Sequence, residues 1–128
     1  MDLLFAVLPF ADVNRPAIGV SLLHAAARAS NIDSRVEYFN LDLAERIGVG
    51  LYDTIANSLV TSTLVGEWFF ADLVFGDGLP PESTYLSKVL WGCVPNPGLR
   101  SEILEARRHR AQFVEECVRR IRAYQPRA

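Results

Sequence analysis

Cysteine is scarce: the 128 residues hold two, Cys93 and Cys117. That is too few for a disulfide framework, and the pair lacks metal-ligand spacing. Reduced thiols and a cytoplasmic location are the expectation. Basic residues are missing from the start. Met1-Asp2-Leu3-Leu4-Phe5-Ala6-Val7-Leu8 is apolar but has no basic n-region of a signal peptide, and Pro9, Asp12 and Arg15 soon interrupt it. A clean membrane-length run is lacking too. The nearest, residues 55–75, contains Glu67 and Asp72 beside several Asn, Ser and Thr residues. Hiding two acids in a bilayer costs roughly 2–3 kcal/mol each. The stretch reads as buried protein, and no membrane is expected.

The familiar catalytic and phosphate-binding patterns are absent as well. There is no G-x-G-x-x-G, no G-x-x-x-x-G-K-S/T, no H-E-x-x-H and no G-x-S-x-G. His24 lies among alanines and His109 among arginines, so both read as structural or solvated. Cys93, after Trp91-Gly92, has no evident base or positive helix end to activate it. No catalytic residue and no metal ligand are expected. The net charge of −2 argues against a nucleic-acid partner.

Half of the chain is hydrophobic, and its length suits one domain with a real core. Residues 3–8 form a continuous apolar run, as in a strand buried on both faces of a parallel sheet. In the loop that follows, Asn14 is a plausible helix cap and Pro16 suits a first turn. Residues 16–30 carry Ile18, Leu22, Leu23, Ala26 and Ala29 at helical spacing. Residues 35–39, Arg-Val-Glu-Tyr-Phe, alternate like a strand. The first forty residues therefore read strand, helix, strand, with a connection long enough for parallel pairing.

Beyond Asn40 no further convincing strand appears. Short helical segments are expected at 41–47, 51–64, 66–75 and 82–91, broken at 76–81 and 92–98 by Gly and Pro. The stretch 66–75 reads as largely buried, so Glu67 and Asp72 need partners there. Arg15, Arg46 or a helix end could supply them. Residues 100–124 predict one long amphipathic helix with Phe113, Val114, Cys117, Val118, Ile121 and Tyr124 on its apolar stripe. Two parallel strands alone make no stable sheet. The expected architecture is α/β, an incomplete doubly wound (Rossmann-like) domain with a large helical insertion over 41–99. A mostly helical domain packed on two strands is the other option.

Ligands in open α/β sheets sit beyond the carboxyl ends of the strands. That rule singles out loop 9–16 and Asn40. A helix amino terminus there offers N–H groups, with Asn14 and Arg15 as further donors. Equally, Asn14 could only cap the helix and Arg15 only face solvent.

Val7-Leu8-Pro9-Phe10-Ala11, followed by Asn14-Arg15-Pro16-Ala17-Ile18-Gly19-Val20-Ser21-Leu22-Leu23, resembles the start of cobalamin-binding domains in radical S-adenosylmethionine enzymes. Four later stretches narrow the likeness: Tyr38-Phe39-Asn40-Leu41, Glu45-Arg46-Ile47-Gly48, Leu51-Tyr52 and Gly66-Glu67-Trp68-Phe69-Phe70-Ala71. They look like the subgroup of C-methyltransferases that matures ribosomally synthesised peptides. The resemblance implies that this chain is the amino-terminal part of the cobalamin-binding domain of such an enzyme. It implies cobalamin as cofactor, with Pro9, Phe10, Asn14, Arg15 and Asn40 as candidate contacts. An iron–sulfur cluster and S-adenosylmethionine would belong to a downstream barrel domain, because C-x-x-x-C-x-x-C is not in this sequence. D-x-H-x-x-G, which carries a histidine ligand to cobalt in another branch, is also missing. The expected partners are the rest of the parent enzyme or a separate barrel domain, and a precursor peptide. A different function remains open. Residues 100–128 hold eight arginines and four acids, and this helix could dock an acidic partner in a small standalone interaction module.

Overall fold

A computed structural model describes residues 1–128. Strands β1 (Leu3–Val7) and β2 (Ser34–Tyr38) pair in parallel, in register from Leu3 opposite Ser34 to Val7 opposite Tyr38. Helix α1 (Ile18–Ala29) connects them. The expected strand, helix, strand unit is present. All later regular structure is helical: α2 (Phe39–Ile47), α3 (Val49–Asp53), α4 (Val65–Phe75), α5 (Glu82–Tyr85), α6 (Trp91–Cys93), α7 (Pro97–Arg108) and α8 (Arg110–Tyr124).

Strand alternation places Leu3, Phe5, Val7, Ser34 and Val36 on one face, and Leu4, Ala6, Arg35 and Glu37 on the other. The first face meets α1. The Phe5 and His24 rings approach edge-on with centroids 6.4 Å apart, and Ser34 Oγ lies 3.1 Å from His24 Nδ1. The second face meets α8. There Tyr124 donates to Glu37 at 2.7 Å, while Arg120 pairs with Glu37 and, at 2.6 Å, with Asp42. Burial pushes the Glu37 carboxyl up. The hydrogen bonds from Tyr124, Arg120 and Arg35, with the Arg120 charge, outweigh it and hold Glu37 below the usual carboxylate range.

The core lies on the α8 side and is mostly helix on helix. One cluster joins Ile55, Val65, Trp68, Leu90, Val94 and Ile103; a second joins Phe39, Leu43, Ala44, Tyr52 and Phe113. Phe10 touches both.

Several local expectations are corrected. Asn14 does not cap α1: the helix starts at Ile18, beyond Pro16, and has no side-chain cap. Its side toward the sheet is Val20, His24 and Ala27, whereas Ile18 and Leu22 stand 65% and 66% exposed. Residues 51–64 are not one helix. After α3 the backbone widens into a single turn closed by Leu59 N–H on the Thr54 carbonyl, then extends at Leu59. A left-handed Leu64 (φ 50°) restarts the chain into α4. Only the first half of α4 is buried; Leu73, Val74 and Phe75 are exposed. The expected helix over 100–124 is split at His109, where Arg110 Nη1 donates to the Arg107 carbonyl at 2.7 Å and takes up an acceptor of the helical ladder. The loop expected over 92–98 shrinks to Val94–Asn96, because Asn96 caps α7 by accepting from Gly98 N–H (2.8 Å) and Leu99 N–H (3.2 Å).

No single helix is long and apolar enough to cross a membrane, and the apolar segments Val49–Ser58 and Thr61–Gly78 meet at 98°.

One pairing lies outside the sequence expectations. After α8, Gln125 turns left-handed (φ 47°) and the chain runs along the edge of β1 opposite β2. Ala128 N–H donates to the Asp2 carbonyl at 3.0 Å, and Leu4 N–H donates to the Ala128 carbonyl at 2.9 Å. This is the hydrogen-bond pattern of a parallel ladder.

Candidate functional site

At the carboxyl ends of the two strands the backbone diverges and leaves a cavity of about 610 Å³. Leu8, Pro9 and Phe10 wall it from the end of β1, and Phe39 from the end of β2. Residues 59–65 and the start of α4 form a second wall; Val114, Cys117 and Ile121 of α8 form a third. Sixteen of its 21 lining residues are hydrophobic, so its binding power is shape and apolar contact.

Phe10 holds this geometry. It sits at φ 64°, a conformation that costs a non-glycine residue and needs support. That support is aromatic: its ring stacks on Tyr52 at 5.4 Å and meets Phe69 edge-on at 5.4 Å. Tyr52 in turn donates to the Ala11 carbonyl at 2.7 Å. Burial pushes the Tyr52 hydroxyl up to about 12, so it stays a protonated donor. Gly66 completes the contact, since a Cβ there would lie 3.0 Å from Phe10 Cδ2.

Of the five residues singled out in the sequence, Pro9 and Phe10 line the cavity. Asn14 and Arg15 do not. Asn14 donates through its side chain to Asp53 at 2.9 Å and through its backbone to Asp12 at 2.8 Å, tying the loop to α3. Arg15 is 86% exposed, 3.5 Å from Asp12. Asn40 is buried at the start of α2, outside the cavity lining, and its Oδ1 has no hydrogen-bond partner. The remaining wall comes from residues 55–74 and from α8, which sequence reasoning did not assign to a site. The signal was there in Val114, Cys117 and Ile121: they belong to the apolar stripe of α8, and all three stand half-buried where they line the cavity.

The polar groups of the cavity are few. Thr63 Oγ1 is spent on the Val60 carbonyl at 2.7 Å. Glu67 is exposed at the rim and forms no ion pair, so it needs none of the partners expected for it. Burial pushes the Cys117 thiol up, away from the nucleophilic thiolate. His24 is committed to Ser34, His109 lies near Glu105 at the surface, and no group of three metal-ligating side chains exists. The site can hold an apolar surface; it contains no nucleophile–base pair.

Asp72 finds its partners in α7 and α8, not in Arg15 or Arg46. It accepts from Arg107 at 2.9 Å and from Arg110 Nε at 2.8 Å. The Arg110 hydrogen bond, opposed by burial and reinforced by both guanidinium charges, holds its carboxyl below the usual range. Arg107 is 5% exposed, pairs also with Glu82, and lies 4.0 Å over the Trp68 ring. Arg120 and Arg46 are likewise committed internally, Arg46 to Glu116. Much of the positive charge on the arginine-rich helices therefore faces its own chain, leaving Arg100, Arg119 and Arg122 without an acidic partner.

No protein-family model, curated protein or solved structure matches this chain.

Proposed function

We propose that this chain is the amino-terminal part of an open, doubly wound ligand-binding domain of the Rossmann-like type, the cobalamin-binding half of a peptide-maturing radical C-methyltransferase. One observation carries the reading: the apolar cavity opens at the carboxyl end of β1, between the side that holds β2 and the side along which Arg127–Ala128 run. In open α/β sheets a strand flanked by neighbours reached through opposite faces marks the ligand crevice. Helices on both faces of the strands agree with that architecture.

The cavity suits the edge of a flat, largely apolar group better than a phosphate. A corrin exceeds its volume, so part of its face would rest against the apolar wall while its amide-bearing rim stayed outside. The cavity lining holds no histidine, and the sequence has no D-x-H-x-x-G. When bound, cobalamin would carry the methyl group that such enzymes transfer. This chain would contribute the wall of Pro9, Phe10, Val114 and Ile121. Catalytic partners would come from a barrel domain, with a precursor peptide as substrate, in the cytoplasm.

Titration of the protein with hydroxocobalamin, followed by visible absorbance and equilibrium dialysis, tests the cofactor. Saturable binding is expected, weakened about tenfold or more by Val114→Arg, which fills the cavity with a charged side chain. An unchanged spectrum with no retained cobalamin would sink the cobalamin assignment.

A further inference from the structure

The cavity is apolar almost throughout, yet its rim holds one full charge. Glu67 is the single charged residue among the 21 that line it. Its carboxylate is exposed, with no ion pair and no hydrogen bond within the chain. The amino terminus of α4 opens on the same mouth through Val65 and Gly66. A helix end carries about half a positive charge, so it offsets only part of the charge on Glu67 and the mouth stays negative. Phe70 also lines the cavity, at the i, i+3 spacing that makes it a neighbour of Glu67 on α4. Two other phenylalanines of the lining already carry a guanidinium: Arg46 lies 5.5 Å over Phe113, and Arg120 lies 5.0 Å over Phe39. Phe70 carries none.

We infer that this cavity binds a small apolar amine in its protonated form, with the body of the ligand against the apolar walls and its ammonium group at Glu67 and Phe70. The inference rests on the reading of this cavity as the ligand site and not on the identity of that ligand as a corrin. Charge sets the head group. The unpaired carboxylate answers an ammonium, and the face of an aromatic ring attracts a cation. An anion would meet Glu67 with no cationic side chain in the lining to balance it. Size sets the rest. About 610 Å³ falls in the range of small-molecule pockets. A lysine side chain from a partner would bring only a thin stem and leave most of the apolar volume unfilled.

The collar of the mouth favours the same class of ligand. Leu8, Val60, Leu64 and Val74 all line the cavity and stand 54% to 73% exposed. An apolar body would remove part of that surface from water, which is favourable in proportion to the area covered.

The test uses three probes with one ring system: naphthylmethylamine, naphthylmethanol and naphthoate, titrated at neutral pH and followed by amide chemical shifts in NMR. The amine should bind about fivefold or more tighter than the alcohol, the naphthoate weakest, with shifts centred on Gly66, Phe70 and Val114. Glu67→Gln should cut the advantage of the amine over the alcohol to about twofold or less and leave the affinity of the alcohol unchanged. An acid also suits the first turn of α4 through the helix dipole; a purely structural role for Glu67 would weaken all three probes alike. Raising potassium chloride to about 0.5 M on the unmodified chain should shrink the same advantage, a measurement that needs no variant. Equal affinity for amine and alcohol overturns the inference. So does an advantage that Glu67→Gln leaves intact, which would trace it to the net charge of −2, and so does an amine that shifts only residues outside the cavity or fails to saturate. The hydroxocobalamin titration can fail while the amine binds, and the reverse, so the two readings fail separately.

Discussion

Charge at the residue scale is organised around a few acids. Asp72 neutralises Arg107, which burial would otherwise strand over Trp68, and it fixes Arg110 at the α7–α8 junction. Removing an acid from such a cluster leaves a buried cation short of a partner. Glu82 remains for Arg107, so Asp72→Asn should cost about 2 kcal/mol at neutral pH, less than the loss of an isolated buried pair. The pH dependence has a definite sign. The folded pKa of Asp72 lies below its unfolded value of about 4. Its contribution is present above that unfolded value and is lost as pH falls through the folded one. Urea midpoints of the parent chain should therefore decline below about pH 4, and those of the Asp72→Asn variant should decline less steeply. Parallel curves would show that Asp72 is not the group responsible. The sequence flagged Asp72 as an acid needing a partner, because its neighbours are apolar. It could not supply the partner's number, since Arg107 and Arg110 are more than thirty positions away and meet it only through folding.

Elements differ in how much of them local sequence dictates. The two strands and α1 are legible because an apolar run, an alternating run and a 3.6-residue period are local signals. The break in residues 54–64 is not, because the wide turn and the left-handed Leu64 are selected by how α3 and α4 settle around Phe10 and Tyr52. The start of α7 was missed for a simpler reason. Pro95, Asn96 and Pro97 read as loop, yet Pro at the first helical position and Asn at the cap together start a helix. Asn96→Ala should thus destabilise the protein by about 1 kcal/mol, measured by urea denaturation. A loss near zero would mean that Gly98 and Leu99 N–H groups are equally well served by water. At the candidate site the same division holds. Pro9 and Phe10 were found through the strand-end rule, while Asn14 and Arg15 were misplaced because α1 begins two residues later than Pro16 suggests.

For the whole molecule, the core and the sheet are unevenly matched. Aromatic and aliphatic side chains gather between α8 and the helices of residues 39–103, whereas α1 covers the opposite face with Val20, His24 and Ala27 alone. The outward Ile18 and Leu22 contribute little to the core. Leu22→Glu should accordingly change stability by no more than about 0.5 kcal/mol, whereas a midpoint shift several times larger would place Leu22 in an interface within the monomer. The parallel pairing of the strands was predictable from the length of their connection. The run of Arg127–Ala128 beside β1 was not, since two residues carry no period.

Position 66 works as a spacer gauge. With only a hydrogen where other residues carry carbon, it lets α4 slide up to the flat side of Phe10; a single methyl there would meet that ring at 3.0 Å. Since Phe10 and Gly66 both border the hollow, widening that gap would pry the ring off Tyr52 and reshape the chamber from its floor. The bore of the hollow is therefore set by an absence of side chain rather than by the bulk of those around it.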